Sequence, residues 1–321
     1  MSQNNPTIYV GLDVAKASFV FDLQGRSLQC PNDAGGHARL CRQLGKLGGS
    51  ALHVVLEATG GYEQPIVAAL HEAQIAVSVV LPCRVRAFAK ALGQQAKTDP
   101  IDAALLSAYG RSIAPEATTP RPPHEQTLQE TVRQRQQLVE IQTQLRNQAA
   151  HAVSPQAKKR HRHLLKALAA EITDCERHIA DLQAEDPRLA QRAQRLQEVP
   201  GVGPIVAAVL LAEFPELGSL PPETAAALAG LAPYNCDSGP RKGTRRIAGG
   251  RAPVRRALYM AALTARRKDG IFKSFYESLL ARGKAKLVAL TAVMRKLIVL
   301  LNRLLKDPHF QLQPPPTLAP H

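Results

Sequence analysis

The chain is short of aromatic residues and of long apolar runs. It contains no tryptophan, and aromatic residues make up only 4% of its 321 residues. No run approaches the roughly 18 uninterrupted apolar residues of a membrane span, and the N-terminal MSQNNPTIYVGLD lacks the basic and apolar regions of a signal peptide. A basic amphipathic helix with a Trp or Phe edge, which would favour an anionic membrane, is also missing. We therefore expect a cytoplasmic protein that does not bind membranes.

Paired cysteines and nucleotide-binding loops are missing as well. The first strand pattern leads into a hairpin rather than a GxGxxG loop, which argues against a Rossmann fold, and no GxxxxGK[ST] sequence points to ATP. An odd, scattered set of cysteines without a CxxC pair argues against a disulfide framework or a structural zinc site. We expect reduced thiols, mostly in the core, at the five cysteines Cys30, Cys41, Cys83, Cys175 and Cys236.

Acidic residues are scarce in the last third of the chain. The formal net charge is +15. Residues 1–110 carry a net charge of +1 and residues 111–190 one of +2, whereas residues 191–321 carry +12. Clustered Lys and Arg neutralise phosphates and release counterions from nucleic acid. This asymmetry predicts a nucleic-acid-binding surface; a merely soluble basic face is the alternative.

Hydrophobic periodicity predicts an α/β N-terminal domain over residues 1–111. Three strands, a helix, a strand, a helix, a strand and then helices follow one another, which is the element order of an RNase H or RuvC-like fold. The predicted strands cover residues 7–13, 17–23, 26–30, 51–57 and 75–81, and the predicted helices 34–47, 63–73, 83–92 and 100–111.

A Pro- and Thr-rich segment, residues 112–126, is the predicted linker. Residues 127–190 then show two apolar stripes at helical spacing, which predicts a helical hairpin with a coiled-coil seam. The hairpin is either intramolecular or joins subunits. The stripe residues are Leu138, Ile141, Leu145, Ala149 and Ala152, and then Leu165, Leu168, Ile172, Cys175, Ile179 and Leu182.

Residues 191–308 are predicted to form a mainly helical C-terminal domain, followed by a disordered tail at 309–321. Within this domain, LQEVPGVGPIVAAVLLAEF at 196–214 indicates a helix end, a glycine turn and a second helix. Backbone N–H groups of Gly201 and Gly203 at the start of that helix could hold a phosphate oxygen, as in a helix-hairpin-helix element. A turn that only changes the chain direction is the alternative.

Four carboxylates fall at the ends of predicted elements of the N-terminal domain. Asp13 and Glu57 end the first and fourth strands, which are neighbours in an RNase H-type sheet, and Asp99 and Asp102 project from one side of a helix start. Carboxylates that converge repel one another unless cations lie among them, and hard oxygen ligands suit Mg²⁺ or Mn²⁺. Two such ions can clamp the attacking and leaving oxygens of phosphoryl transfer.

Each carboxylate also has a simpler interpretation. Asp99 could be the N-cap of a helix with Pro100 at its first position, and Asp102 would then favour the helix dipole. Asp13 and Glu57 could be solvated strand ends, although acids are costly at the ends of two buried strands.

Six motifs carry a resemblance to a known family. They are YVGLDVAK, VLEATGGYEQPIV, AKTDPIDA, VPGVGPIVAAVLLAE, GLAPYNCDSG and GTRRIAGGRAPVRRALYMAAL. Together they resemble the DEDD-type transposases of bacterial insertion sequences, a family that includes Piv-like DNA invertases and bridge-RNA-guided recombinases. The resemblance covers nearly the whole chain, and a RuvC-type acidic domain followed by a serine-bearing C-terminal domain is peculiar to this family.

The resemblance implies an acidic tetrad at Asp13, Glu57, Asp99 and Asp102 and a nucleophilic serine at Ser238. It implies a bacterial enzyme that attacks a DNA phosphodiester with this serine, forms a covalent phosphoserine link with the help of Mg²⁺ or Mn²⁺, and rejoins strands. It also implies donor and target DNA as partners and a noncoding bridge RNA as guide. Because recombination joins two duplexes, we expect at least a dimer, and a tetramer on DNA is an alternative.

The residues around Ser238 fit this chemistry. YNCDSGPRKG contains no histidine to act as a base, so metal ions on the acidic domain are the expected source of activation. A hydroxyl that merely contacts phosphate, and nucleophiles at Tyr234, Thr244 or Tyr259, are alternatives, as are a junction nuclease that uses water and a non-catalytic regulator. The basic residues expected to bind phosphates are Arg241, Lys242, Arg245, Arg246, Arg251, Arg255 and Arg256.

Overall fold

The computed structural model of the protein describes residues 7–47, 51–94, 99–234 and 246–312, with the side chains of residues 99 and 100 left aside. The chain divides into two compact units, residues 1–121 and 122–321. Four predicted site residues, Ser238, Arg241, Lys242 and Arg245, lie outside the described residues, as do Cys236 and Thr244.

The N-terminal unit contains a mixed five-stranded sheet in the order β3-β2-β1-β4-β5. The first three strands form an antiparallel meander, and β4 and β5 add in parallel beside β1. This topology is consistent with an RNase H-like domain. The elements are β1 (Ile8–Val14), β2 (Ser18–Leu23), β3 (Arg26–Pro31), α1 (Ala34–Gly45), β4 (Leu52–Glu57), α2 (Gln64–Glu72), β5 (Ala76–Val80), α3 (Pro82–Ala91) and α4 (Asp99–Ile113).

Side chains alternate across this sheet and make a core on each face. Val10, Leu12 and Val14 of β1 join β4, α1 and α2 in one apolar cluster. On the opposite face, Val55 and Val80 pack with residues of α3 and α4. Successive residues of a strand point to opposite faces, so a sheet covered by helices on both sides must be apolar on both.

The segment after α4 runs back along β5 and covers that edge of the sheet. Thr118 donates its N–H to the Val77 carbonyl at 2.7 Å, and its Oγ1 accepts from the Val79 N–H at 3.0 Å. Ser78 donates its hydroxyl to the Glu116 carbonyl at 2.6 Å. These contacts pair an edge strand that would otherwise expose its backbone.

Two long helices open the C-terminal unit. They are α5 (Pro123–Ala150) and α6 (Pro155–Glu185), so the linker ends at residue 122, earlier than the predicted 126. Arg135 bridges to Glu176 at 2.6 Å and fixes the register of the hairpin. Leu182 is buried, whereas Ile141 is half-exposed, so burial of the stripes falls off away from the base. Whether the hairpin joins subunits remains a prediction.

The base of the hairpin and the helices that follow share one hydrophobic core. Leu128 and Ile179 of the hairpin belong to the same cluster as α8, α10 and α12. The elements after the hairpin are α7 (Pro187–Gln197), α8 (Pro204–Glu213), α9 (Pro222–Leu228), β6 (Pro233–Tyr234), β7 (Arg246–Ile247), α10 (Ala252–Ala265), α11 (Ile271–Ala281) and α12 (Lys286–Lys306).

The predicted disordered tail begins too early. Phe310 and Leu312 pack against the C-terminal core. Arg195 donates to the Phe310 carbonyl, and the Arg303 guanidinium lies 4.3 Å from the centre of the Phe310 ring. These contacts place residues 309–312 on the core; the remainder of the predicted tail lies outside the described residues.

The described cysteines are free thiols in mixed surroundings. Cys30 and Cys175 are buried, Cys41 is half-buried and Cys83 is exposed, so only part of the set lies in the core. Among the described residues, no helix combines the length and the apolar character needed to cross a bilayer.

Candidate active site

Two of the four predicted carboxylates lie side by side at the centre of the sheet. Leu12 of β1 pairs with Leu56 of β4 in the parallel ladder, and Asp13 and Glu57 come directly after this pair. Neighbouring strands lie roughly 4.8 Å apart, so the two acids lie next to each other near the ends of these strands. Both are half-buried. The predicted adjacency of the strands that carry Asp13 and Glu57 is confirmed, and a shared metal site at the two acids stays a prediction.

Strand alternation also decides which face these acids occupy. Leu12 and Leu56 belong to the cluster with α1 and α2. The next residue on each strand therefore points to the opposite face, where Val55 packs with α4. Asp13 and Glu57 thus face the side of the sheet that α4 covers.

Glycines set how α4 crosses this face. A Cβ on Gly11 would lie 2.0 Å from the Ala103 carbonyl oxygen and 2.4 Å from the Ser107 nitrogen, and one on Gly110 would lie 2.6 Å from the Tyr9 ring. The Gly11 N–H donates to Ser107 Oγ at 2.7 Å. Tyr9 lies beside Gly110, and Gly11 lies beside Ala103. Residue numbers therefore rise along the strand where they fall along the helix. Helix α4 therefore runs antiparallel to β1, and its first turn lies at the end where Asp13 is.

The first turn of α4 carries the other two predicted acids. Asp102 is half-buried and precedes Ala103, the residue whose backbone touches Gly11. Asp99 is the first residue of α4, and its side chain lies outside the described part. Among the described side chains, no group of three His, Cys, Asp or Glu could by itself hold a metal ion. A complete tetrad therefore remains a proposal that depends on Asp99.

The Gly11→Ala substitution is expected to lower stability because the new methyl group meets backbone atoms of α4 rather than a flexible side chain. Overpacking of this kind costs about 1–3 kcal/mol or more. Thermal unfolding followed by circular dichroism measures the loss. The matched control is Gly45→Ala at the end of α1, where a Cβ meets nothing within 4 Å and no loss is expected. Equal melting temperatures for Gly11→Ala and the wild type would contradict the close approach of α4.

The turn that follows Glu57 is held by a buried acid. Glu63 Oε2 accepts from the Thr59 N–H at 3.0 Å, from Thr59 Oγ1 at 2.8 Å and from the Gly61 N–H at 2.8 Å. Burial raises the pKa of Glu63, but hydrogen bonds from its own backbone, Thr59 and Gly61 outweigh burial and lower the pKa below its usual value. The carboxylate is therefore ionised at neutral pH and fixes residues 59–63 as a rigid turn.

Asn32 ties this turn to the one after Asp13. Its Nδ2 donates to the Ala15 carbonyl at 2.9 Å and to the Tyr62 carbonyl at 3.1 Å. Burial lowers the pKa of His37, so the ring is neutral at pH 7. Since Asn32 Nδ2 already donates twice, its Oδ1 accepts from His37 Nε2 at 2.8 Å. One side chain thus joins three loops at the acidic end of the sheet.

In the C-terminal unit, a short ladder joins the described residues that flank the segment containing Ser238. Tyr234 of β6 pairs with Arg246 of β7, and Pro233 pairs with Ile247. Tyr234 and Arg246, which flank the segment on either side, therefore lie side by side. Both strands are exposed.

The predicted phosphate-binding arginines differ in what they contact. Arg251 makes two hydrogen bonds of 2.7 Å to Glu216, donates to the Glu213 carbonyl and lies over the Phe214 ring. Arg255 donates to the Gly249 carbonyl at 2.6 Å. These intramolecular partners balance the charge of Arg251 and accept hydrogen bonds from its planar guanidinium group.

Two further arginines are more exposed. Arg246 lies on the exposed β7. Arg256 is 56% exposed and pairs with Glu140 on α5 at 2.5 Å. Hydrogen bonds from Gln136 and from Arg256 lower the pKa of Glu140. Solvent screening makes such a surface pair weak, so Arg256 can exchange Glu140 for a phosphate at little cost.

The glycine turn between α7 and α8 is partly covered by α10. Gly201 has φ of +94°, and a Cβ there would lie 2.4 Å from the Ala261 carbonyl oxygen. Packing against α10 therefore explains this glycine. Gly203 caps α8 with extended backbone, and a Cβ there would meet nothing within 4 Å. Of the two, Gly203 has the open surroundings that a phosphate needs; the helix-hairpin-helix role remains a prediction.

Two family models match separate parts of the chain. A transposase model of the DEDD type named for IS110 matches residues 10–154, and a model described as transposase IS116/IS110/IS902 family matches residues 193–277. Together the two matches span most of the chain. The chain belongs to this DEDD-type family of insertion-sequence transposases. It is a DNA-rearranging enzyme, and transposases act on DNA.

Relatives of this transposase include DNA-inverting proteins and insertion-element proteins. A pilin gene-inverting protein of Moraxella lacunata is 29% identical over 306 residues, which cover 91% of this chain and 94% of that protein. An uncharacterized IS116 protein of Streptomyces clavuligerus is 31% identical over 156 residues, 48% of this chain and 38% of that protein. An uncharacterized IS110 protein of Streptomyces coelicolor is 36% identical over 119 residues, 36% of this chain and 29% of that protein.

Sequence reasoning missed several residues that shape the acidic end of this transposase. Gly11 lies inside a strand, and such a glycine is a signal for close backbone approach. The sequence ATGGYE does not reveal that Glu63 accepts the hydrogen bonds of a glycine-containing turn. Nothing in the sequence singles out Asn32 or Ser107, because both act through residues far away in the chain.

Proposed function

We propose that this transposase is a site-specific recombinase that cuts and rejoins DNA through a covalent phosphoserine link at Ser238. The observation that carries the proposal is the placement of Asp13 and Glu57 side by side, with the first turn of α4 and its Asp102 at the same end of the sheet. Three elements thus each carry an acid at this end of the sheet.

Asp13, Glu57, Asp99 and Asp102 are the residues that would hold Mg²⁺ or Mn²⁺. Their donor set consists of hard carboxylate oxygens, which these cations prefer. Like charges repel until a cation lies among them, so we infer that the described acids depend on Asp99 and on the ion to complete the site. When bound, the ions would polarise the phosphodiester and stabilise the charges of the attacking and leaving oxygens.

The proposed step is a transesterification. The bond from Ser238 Oγ to phosphorus forms as one P–O ester bond of the DNA backbone breaks. The serine hydroxyl proton leaves, and the released sugar oxygen takes up a proton, so the number of ester bonds is unchanged. A second DNA hydroxyl then reverses the exchange on the same phosphorus. Because the bond energy is kept in the phosphoserine, rejoining needs no ATP.

The basic residues are proposed to hold the nucleic acid. Arg241, Lys242, Arg245 and Arg246 lie in or beside the segment that carries Ser238, and Arg256 pairs only weakly with Glu140. Arg255 and Arg251 also belong to the predicted set, but the Glu216 pair makes Arg251 the weakest member. The glycine turn at Gly201 and Gly203 is proposed to add backbone contacts to phosphate.

The pilin gene-inverting relatives favour a reaction that rejoins what it cuts, because inversion requires both ends of a segment to be resealed. A bridge RNA as guide for donor and target DNA is proposed from the family resemblance. Basic charge suits either nucleic acid.

The proposal is tested with purified protein, labelled donor DNA and Mg²⁺ on a denaturing gel. A band of DNA attached to protein supports the serine route, and loss of that band after RNase treatment of the protein supports the guide RNA. Free ends without attached protein would favour a RuvC-like nuclease that uses water. Binding without any cut in Mg²⁺ or Mn²⁺ would favour a non-catalytic regulator.

We expect the active species to be at least a dimer, because two duplexes must be cut and joined and each chain carries one Ser238. The exposed side chains on the outer part of the α5–α6 hairpin, such as Ile141 and Leu164, could support subunit contacts. Light scattering over a range of protein concentrations, with and without nucleic acid, measures the mass. A monomer under every condition would contradict this expectation.

A further inference from the structure

Tyr62 is an exposed aromatic side chain on the turn after Glu57. Its side chain is 48% exposed in a chain that has little aromatic content. The neighbours Gly60 and Gly61 have φ of +76° and +115°, which a side chain rarely tolerates. Tyr62 therefore follows two residues that have no side chains, which leaves one side of its ring uncovered by its chain neighbours.

The backbone of Tyr62 is fixed close to the acids. Asn32 Nδ2 donates to the carbonyls of both Tyr62 and Ala15, so these two carbonyl oxygens lie within about 6 Å of each other. Ala15 is two residues after Asp13. The buried Glu63 holds the other side of the same turn through Thr59 and Gly61. Hydrogen bonds from Asn32 on one side and to Glu63 on the other therefore fix the backbone of Tyr62 before any ligand binds.

We propose that Tyr62 is a stacking platform for an unpaired nucleobase at the acidic end of the sheet. The inference rests on the proposed function, since it places a strand of nucleic acid at Asp13 and Glu57. Lys16 is exposed in the turn beside Ala15, where its ammonium group can contact the phosphate of the stacked nucleotide.

The physical basis is the amphipathic, rigid ring of tyrosine. A base stacks on an aromatic face without regard to its sequence, at a gain of about 1–3 kcal/mol for each base. A ring on a fixed turn loses little freedom when a base docks, so more of the contact energy appears as affinity. An unpaired base beside the acids is what a strand-cutting site presents once the duplex is opened. The base can come from the cut DNA strand or from a guide RNA, because both offer the same π-face.

The test uses the absence of tryptophan from the chain. In Tyr62→Trp the new residue is the only tryptophan, so its emission reports on that turn alone. Titration with oligothymidylate and, separately, with oligouridylate should quench the emission, and the tighter of the two identifies the source. The control is Ile113→Trp, an exposed position at the far end of α4, roughly 16 Å from Asp102 along the helix, whose emission should not change.

Affinity gives an independent measure. Tyr62→Ala should bind the preferred oligonucleotide about 5- to 150-fold more weakly, whereas Tyr62→Phe keeps the ring and should bind as the wild type does. The substitution is at an exposed side chain, so the melting temperature should not change. Unquenched Tyr62→Trp emission at saturating oligonucleotide, or equal affinities for Ala and wild type, would overturn the stacking role. If these results came with an intact covalent DNA complex, the recombinase proposal would stand; if no nucleic acid bound at all, that proposal would fail too.

Discussion

Ser238→Ala is expected to bind nucleic acid with nearly the affinity of the wild type and to form no covalent complex with DNA. Removing one hydroxyl takes away no charge, and affinity is carried mainly by Arg and Lys contacts with phosphates. One lost hydrogen bond costs about 0.5–1.5 kcal/mol. Loss of the attacking atom instead removes the whole covalent route. Ser238→Cys keeps a nucleophile and should retain a trace of cleavage.

The measurement is a denaturing gel of labelled DNA with each purified variant, followed by mass spectrometry of the DNA-linked peptide from the wild type. Ser278→Ala is the matched control, because the hydroxyl of this exposed serine donates to the Phe275 carbonyl of its own helix. It should form the covalent complex normally.

Other hydroxyls near the segment offer the alternative outcome. Tyr234 is 50% exposed at the end of β6, and Tyr259 is 38% exposed on α10. Thr244 lies in the same segment as Ser238. A protein-linked band that persists in Ser238→Ala, or a linked peptide modified at one of these three residues, would show that the serine is not the nucleophile.

The sheet of the N-terminal unit follows from the sequence because its signal is local. Alternating apolar residues and short polar turns predict three strands, and the observed bounds of β1, β2 and β3 differ by at most one residue from the prediction. Once the element order suggests an RNase H-type sheet, the adjacency of β1 and β4 places Asp13 beside Glu57. Periodicity thus locates two of the acids without any long-range information.

The rest of the site depends on contacts between distant residues. The approach of α4 to β1 depends on Gly11 meeting Ala103 and Ser107, a separation of more than 90 positions. Propensity and pattern describe each element but not how two elements cross. For the same reason an arginine-rich stretch looks uniform in sequence, although Arg251 bonds to Glu216 while Arg256 is exposed on the surface.

Composition alone also misplaced an element boundary. The proline-rich segment at 112–126 predicts a linker, but proline is favourable in the first turn of a helix, and α5 begins at Pro123. At the other end of the chain, Phe310 is an aromatic residue that buries part of its surface against Arg303 and the core. Together with Leu312, this ring packs residues 309–312 on the core, although composition assigns them to a disordered tail.

Asp102→Asn is expected to abolish recombination while leaving a folded protein that still binds DNA. Asparagine has nearly the same shape as aspartate and can accept hydrogen bonds, but it brings no negative charge to a cation. If Asp102 only supports the start of α4, the change removes a favourable charge from the helix dipole, at a cost of about 0.3–1 kcal/mol of stability and little activity. If Asp102 holds a metal ion, activity should fall by about 100-fold or more, as it does when one group that stabilises transition-state charge is lost. The same loss is expected for Asp13→Ala, Glu57→Ala and Asp99→Ala.

The two roles of Asp102 separate when activity and stability are measured together. Glu72→Gln, an exposed acid at the end of α2, is the control and should match the wild type in both. Recombination is followed over a Mg²⁺ titration, and unfolding is followed by circular dichroism. Asp102 lies at the same end of the sheet as Asp13 and Glu57. We therefore expect Asp102→Asn to lose recombination activity at every Mg²⁺ concentration, whereas its melting temperature should shift little. Near-normal recombination by Asp102→Asn in Mg²⁺ would instead assign this residue to the helix start and remove it from the metal site.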